Sequence, residues 1–561
     1  MLGERVLYLR SRWTTLGAQH EENRMSSPTN LLNLKCFRVV LRDGTTESLT
    51  LREVLAQAPD ISHLDGEVGP QYAALLRFLI ALVLVSVSDP DRDAIQAMGD
   101  WTNWWGSWAS LDSRVQDYLT EHENEFELAG PQPFMQVATL QPATTLPSGL
   151  QRLVPDIGQW FNTRVGDSAT TISAEEAFRW LLYVQSWDVA GIKTGAAGDP
   201  AVKGGRAYPT GYPAWAGNLG MVILEADDLA HTILVNLPLA KYPDEQRGGW
   251  QLDRPTHRRD TQRPRGPAEL FAWPNRAIRL NFREDGRVDG VQVSYGDTLT
   301  PQNMNHLEPM AAWRHSEPQT KKAKFDVQMP VTHSATRRVW QGLGALVATI
   351  EQQPATLRWL GELQTRGHLD SDTRIRLRTI GVEYGPQNST VNSIIDDSLD
   401  AHVAALTSGH LATLASDCAA HAAKSVGALT HLNALLAQAA GRSEEAARER
   451  ATQAGYAALD LVFRSWLLTL RADSDTAEAT RDWQARLRST LLQQGQTLCT
   501  LAGEQAIVGR VTTASKDSQP QLVTTGSAWR WFWWRVGQLT PAASTSTGHP
   551  TAPPQEESSH A

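Results

Sequence analysis

Pro131-Gln-Pro-Phe-Met-Gln-Val137 packs two prolines and two large apolar side chains into seven uncharged residues. Each proline fixes its own φ and drives the preceding residue toward extended geometry, so the stretch cannot be helical. Phe134 and Met135 then present a large apolar surface on a stiff, extended segment. Such a segment reads as a buried crossing that pins two parts of one domain. Just upstream stand Trp101, Trp104, Trp105 and Trp108. Trp101, Trp104 and Trp108 fall at helical spacing and read as core. Exposed, the four would instead form the stacking platforms of a ligand- or carbohydrate-binding module.

Working outward, Phe37–Arg42 and Thr46–Leu49 alternate like strands around Asp43-Gly44, a strong hairpin signal. Thr50-Leu-Arg-Glu53 is a capping box that opens a helix through Ala56. Helical patterns follow at 70–87, at 90–98 with Asp89 as N-cap and Pro90 at N1, and at 111–122. Residues 190–218 form a long Gly/Pro loop. Strands return at Met221–Leu224, Ala277–Phe282 and Gly290–Ser294, with Asp285-Gly286 turning between the last two. From about residue 395 apolar residues recur at helical spacing (Leu399, Val403, Leu406, Leu411, Leu414). Helices over about 394–422, 424–440, 443–472 and 476–503 predict an antiparallel four-helix bundle.

The expected fold class is therefore α+β. A large mixed domain with short sheets and helices spans 25–392, and the bundle spans 393–510. Residues 511–561 form a tail, disordered where Ser, Thr and Pro dominate. Within it, Trp529-Arg-Trp-Phe-Trp-Trp-Arg535 reads as a segment that seals the bundle or docks on a partner subunit, ahead of base stacking. Residues 1–24 read as a disordered extension, with Met25-Ser-Ser-Pro28 as an alternative start.

A chain of 561 residues exceeds what one hydrophobic core supports. With 41% apolar and 20% charged residues it has ordinary globular composition. Cys36, Cys418 and Cys499 are too few and too far apart for a disulfide framework or a CxxC zinc pair, which suits a reducing cytoplasm. The apolar run Leu79–Val87 is short for a membrane span and is closely preceded by Arg77. Arg5, Arg10 and Arg12 are not followed by the apolar run of a signal peptide. A net charge of −9 argues weakly against a nucleic-acid partner, yet basic residues cluster. One stretch carries Arg247, Arg254, His257, Arg258, Arg259, Arg263 and Arg265. Another carries Arg314, His315, Lys321, Lys322, Lys324, Arg337 and Arg338. Both also read as plain solvated loops.

No GxSxG, GxxxxGK[ST], GxGxxG or HExxH motif occurs. Asp396, Asp397 and Asp400 read as a solvated helix N-terminus rather than an acidic site. No catalytic residues, metal or cofactor are expected.

Several features follow one another in order. Asn30-Leu-Leu32 precedes the strand Phe37–Leu41, and Pro133-Phe-Met-Gln136 comes next. The glycine loop 191–217 then leads into Met221–Leu224 and Ile233-Leu-Val-Asn-Leu-Pro238. Leu270-Phe-Ala-Trp-Pro274 and the helical C-terminal part complete the series. Over about residues 28–510 this order resembles the CasA family, the large subunits of the Cascade complex of type I-E CRISPR systems. Where members often carry Pro-Trp-Ile, this chain has Lys35-Cys-Phe37. The cysteines that hold zinc in some members are missing from 281–294, so the resemblance implies no structural zinc here.

The resemblance implies binding rather than chemistry. CasA-like subunits read the short motif flanking the target (the PAM) in double-stranded DNA, help open the duplex for guide-RNA pairing and recruit a helicase–nuclease. They act with guide RNA and with the backbone, small and crRNA-end-binding subunits, in the cytoplasm and on no membrane. Protein thus reads the flank while base pairing reads the rest. The minor groove offers a degenerate pattern, so tolerance of several PAMs is expected. Carried over, the family's wedge falls on Tyr384-Gly-Pro-Gln-Asn388: Gly385-Pro386 make the turn, and Gln387 and Asn388 project from it. An ordinary polar turn is the alternative. The family's glycine loop falls on 195–205, with Gly195, Gly198, Lys203, Gly204 and Gly205. There a missing side chain lets backbone approach DNA. Phe161 and Asn162 match an aromatic–polar pair that contacts DNA or the complex. Asn303, Asn305 or Arg314 matches a further polar contact.

Overall fold

A computed structural model describes residues 28–144, 149–155, 164, 166–209, 211–242, 245–252, 264–347, 352–407, 409–512 and 520–541. The 1–24 extension, Phe161 and Asn162 lie outside the described residues. The chain divides into two compact units, Met1–Val339 with Ala345–Val403, and Trp340–Gly344 with Ala404–Ala561.

In the first unit, Phe37–Leu41 pairs antiparallel with Thr46–Leu49 on one side and Ile61–Leu64 on the other. Asp43 shapes the turn by accepting from the Thr45 N–H and hydroxyl. Thr50 and Glu53 form the expected capping box and start the helix Leu51–Ala56. The next helix, Gly69–Ser86, is long and apolar enough to cross a membrane, yet almost every residue in it is buried in protein. Ala94–Gly106 begins later than the sequence suggested. Asp93 and Gln96 complete a capping box there, whereas Asp89 only accepts from Asp91 N–H in the preceding turn. Trp101, Trp104 and Trp108 are buried, and the Trp101 and Trp108 indoles donate to the carbonyls of Leu234 and Leu55. These three therefore offer no exposed stacking platform.

Pro131–Val137 is the pin its composition suggested, but it turns rather than running extended: Gln136 N–H donates to Pro133 O, Met135 takes φ 51, and Pro131 and Gln132 stay exposed. The Phe134 ring sits 5.4 Å from Phe78 and 6.0 Å from Phe178, so it joins Gly69–Ser86 to the helix Ala174–Trp187. Val137 N–H donates to Ile278 O, and Gln136 bridges Leu128 O and Leu280 N–H. The segment is thereby tied to the strand Arg276–Phe282, which forms a hairpin with Val288–Tyr295. The turn of that hairpin falls on Asp285-Gly286, where Gly286 takes φ +78.

A three-stranded antiparallel sheet places Arg374–Tyr384 between Met221–Glu225 and Val391–His402. This corrects the helix expected to start at residue 394. Val391–His402 pairs along its length with Arg374–Tyr384, from His402 opposite Arg374 to Val391 opposite Tyr384. Two of its acids face arginines: Asp396 takes Arg378, and Asp400 takes both Arg374 and Arg376, while Asp397 accepts from Val339 N–H. Asp396 and Asp400 are thus cross-strand partners rather than a helix N-terminus.

On the outer edge of this sheet, Asp228 caps the helix Leu229–Val235, and its carboxylate also meets His231 Nδ1 at 2.8 Å. That hydrogen bond holds the His231 pKa above its ordinary value despite partial burial. A raised histidine pKa stabilises the fold below the ordinary value of about 6.5 and loses that effect as pH rises through the folded value. The stability difference between the wild type and His231→Gln should therefore be larger at acidic pH than at about pH 8. Denaturant titrations of both proteins at the two pH values check this.

In the second unit, Gly409–Ala440 packs against Glu444–Leu467, Thr476–Ala502 and Thr525–Leu539. The helices expected at 394–422 and 424–440 are replaced by this one. No breaker stands between Ala422 and Lys424, and Gly427 is carried inside at about 1 kcal/mol relative to alanine. The tryptophan-rich segment is a helix that buries Ala528, Phe532 and Val536 and exposes Trp533 and Trp534. One face seals this unit, as its composition suggested.

Candidate nucleic-acid interface

The tip of the Arg374–Tyr384/Val391–His402 hairpin is residues 385–390. Gly385 N–H donates to Thr390 O and Asn388 N–H to Gly385 O, closing a short turn. The sequence placed the tight turn on Gly385-Pro386, but Gly385 itself is extended, at φ −73 and ψ −168. It is a glycine for a different reason: a Cβ there would collide with the Thr390 hydroxyl. The left-handed residues are Gln387, at φ 57, and Asn388, at φ 53. Such conformations cost about 1–3 kcal/mol each outside glycine and collect at functional positions. Gln387 is exposed, whereas Asn388 is half-buried and held. The Asn388 side-chain amide donates to Gly211 O at 3.0 Å, and the Asn388 backbone carbonyl accepts from Ala190 N–H at 2.7 Å. The turn therefore offers the Gln387 side chain outward and uses Asn388 as its anchor.

Both anchor points belong to the glycine-rich loop. Gly191 also lies against Ser389, where a Cβ would come 3.6 Å from the Ser389 carbonyl. The loop thus reaches the turn through Ala190, Gly191 and Gly211 rather than through Gly195–Gly205. The latter region folds back on itself. Lys193–Thr194 pairs with Arg206–Ala207. Lys203 and Arg206 exchange backbone hydrogen bonds around Gly204, at φ 56, and Gly205, at φ 74. Gly198, at φ 82, turns the chain between them, and Gly205 sits so close to Thr144 that no side chain fits. Residue pattern gave no sign that Ala190 and Gly191 would meet the turn, because nearly 200 residues separate the two segments and tertiary packing alone joins them.

Beneath this junction lies a buried ionic cluster that sequence reasoning missed. The Asp188 carboxylate binds both Lys193 Nζ and Arg276 Nε, each at 2.5 Å. Asp188 follows the Ala174–Trp187 helix, and Lys193 is the one charged residue between Asp188 and Asp199. Those two positions were the available signal.

The remaining expected contacts are dispersed. Asn303 is tied by its side chain to Gln328 N–H and Asp326 O, so its amide serves the backbone rather than a ligand. Arg314 is exposed on Trp313–His315, followed by exposed Lys322 and Lys324 on and just after the helix Glu317–Ala323. Arg247 and Arg265 of the first basic stretch both serve Glu269, through the Arg247 guanidinium and the Arg265 N–H. Arg254 to Arg263 lie outside the described residues.

Residues 30–494 match the family model of the CRISPR-associated protein Cse1. No curated protein matches significantly. Among solved structures, Cse1 of Thermobifida fusca is 34% identical over 91% of this chain and 98% of its own, with a TM-score of 0.82. CasA (Cse1) of Thermus thermophilus is 20% identical over 91% and 98%, with a TM-score of 0.65. A chain of a CRISPR RNA-guided surveillance complex shares the fold at 15% identity over 90% and 99%, with a TM-score of 0.58. Fold, ordered motifs and a match across most of the sequence agree: the chain belongs to the CRISPR-associated Cse1 (CasA) family.

Proposed function

We propose that this protein is the large subunit of a CRISPR RNA-guided surveillance complex that reads the PAM of double-stranded DNA from the minor groove and wedges the duplex open. Family membership supports the subunit role. The observation that carries the wedge is the hairpin tip: a strained, exposed Gln387 beside an anchored Asn388, braced by a glycine-rich loop. A strained amide at the end of a two-stranded lever can enter a base step and satisfy the edges it exposes. Unstacking costs about a few kcal/mol per step, so a preformed tip matters. Ala190, Gly191 and Gly211 bring backbone with little side-chain bulk to the same place, as close approach to a minor groove requires. Exposed Arg314, Lys322 and Lys324 supply phosphate-directed charge elsewhere in this unit. In this reading, guide RNA and the backbone, small and crRNA-end-binding subunits are the permanent partners. The helicase–nuclease joins after the target is bound.

The test is a reconstituted complex carrying Gln387→Ala with Asn388→Ala, assayed against a PAM-containing duplex. Target affinity should fall at least about tenfold, with most of the loss at base-pair opening next to the PAM, given the cost of each unstacked step. Unchanged affinity and opening would show that the turn is an ordinary surface feature.

A further inference from the structure

The cluster under the wedge turn and two tyrosines beside it hold the loop backbone at almost every residue from 187 to 191. Tyr384, the last residue of the strand leading into the turn, donates its hydroxyl to Trp187 O at 2.7 Å. Arg276 Nη2 donates to Asp188 O at 2.9 Å and to Val189 O at 3.2 Å. Lys193 Nζ donates to Val189 O at 3.1 Å. The Tyr295 ring lies 5.4 Å from the Lys193 ammonium and 5.0 Å from the Arg276 guanidinium. Its hydroxyl donates to Gly191 O at 3.0 Å. What remains is Ala190, whose N–H points at Asn388 O.

We propose that Asp188, Lys193 and Arg276 are a positioning cluster that fixes the height of the Gln387–Asn388 turn against DNA through Ala190. The proposal rests on the duplex-opening reading above and adds the device that makes the tip rigid. One carboxylate faces two cations, and Lys193 and Arg276 side chains are only 3% and 0% exposed. Burial pushes the Lys193 pKa down to about 8 although Asp188 pulls it upward. Such an arrangement is a poor way to gain stability, since apolar residues of the same volume often serve a fold better. It is a good way to specify one geometry, because carboxylate, ammonium and guanidinium satisfy one another in a single arrangement. The turn needs that: two left-handed residues without glycine persist only where their surroundings over-determine them.

The experiment uses the reconstituted complex and a PAM duplex with 2-aminopurine at the first base pair to open. Lys193→Met should slow opening about tenfold while assembly and melting temperature hold, and Lys193→Arg should restore most of the rate. Tyr295→Phe, which removes the hydroxyl that donates to Gly191 O, should slow it about threefold and serves if Lys193→Met disturbs folding. In the Gln387→Ala/Asn388→Ala background, Lys193→Met should add nothing, because the cluster acts through the turn. Additive losses would overturn the proposal. Wild-type opening by Lys193→Met beside a defective double-alanine variant would overturn the cluster's role and leave the wedge intact. A double-alanine variant that opens DNA normally would remove both.

Discussion

Glu308→Ala should destabilise the first unit by about 3–5 kcal/mol, which urea or guanidinium titration of the purified protein will register as an earlier transition. Glu308 is completely buried and Arg77 is 1% exposed. Their side chains meet in two parallel bonds of 2.9 and 2.8 Å. The same carboxylate accepts from the Trp215 indole at 2.8 Å and from Met310 N–H at 3.0 Å. Arg77 also lies 3.9 Å over the Phe271 ring. Truncating Glu308 leaves a cation, an indole N–H and a backbone N–H without their acceptor in a dry interior, and it is this orphaning that is costly. The pair itself is not a large net gain. Arg77→Met with Glu308→Leu should therefore cost less than Glu308→Ala alone. If the double variant were the less stable of the two, the pair would contribute far more than ion pairs in dry interiors usually do.

Phe532→Ala should cost the second unit about 3–5 kcal/mol and release the tryptophan-rich helix. Phe532 is completely buried, and its ring contacts Gly495 of the Thr476–Ala502 helix together with Trp529. Gly495→Ala is the sharper experiment because two effects oppose. Alanine inside an open helix face stabilises by about 1 kcal/mol relative to glycine. Here the new methyl would collide with the Phe532 ring, so the sign should reverse and destabilisation should result. Limited proteolysis at Arg530 and Arg535 reports the release directly. Unchanged protection in both variants would mean that the helix is held by other contacts.

Local chemistry was readable wherever it is self-contained. The Asp43-Gly44 and Asp285-Gly286 turns, the Thr50–Glu53 capping box and the buried face of Trp101, Trp104 and Trp108 depend on residues a few positions apart. Pro131–Val137 was legible as a pin because proline geometry and apolar surface restrict what it can be. The 391–402 segment was not. Leu399, Val403 and Leu406 share helical spacing, but Arg374, Arg376 and Arg378 wait across the ladder for Asp396 and Asp400, and pairing overrode spacing. The candidate site divided in the same way. Tyr384–Asn388 could be marked as a turn, while the loop residues braced against it, Ala190 and Gly191, were hidden by distance in sequence. Asp188, Lys193 and Arg276 were hidden for a further reason. One carboxylate and two cations scattered over the chain carry no pattern until a fold gathers them.

The central sheet has a consequence for synthesis. Met221–Glu225 is buried and apolar for four of its five residues, and its neighbour is Arg374–Tyr384. The Glu225–Arg378 ion pair across that ladder joins residues 153 positions apart. At about 5–20 residues per second, the first strand leaves the ribosome roughly 8–30 s before its partner exists. Through that interval a buried strand stands as an open edge, the kind of surface that pairs with the wrong chain. Slowed translation between residues 225 and 374, or truncation ahead of 374, should therefore yield aggregates rather than a smaller soluble unit. No partner chain arriving early could help, because the missing neighbour belongs to the chain itself.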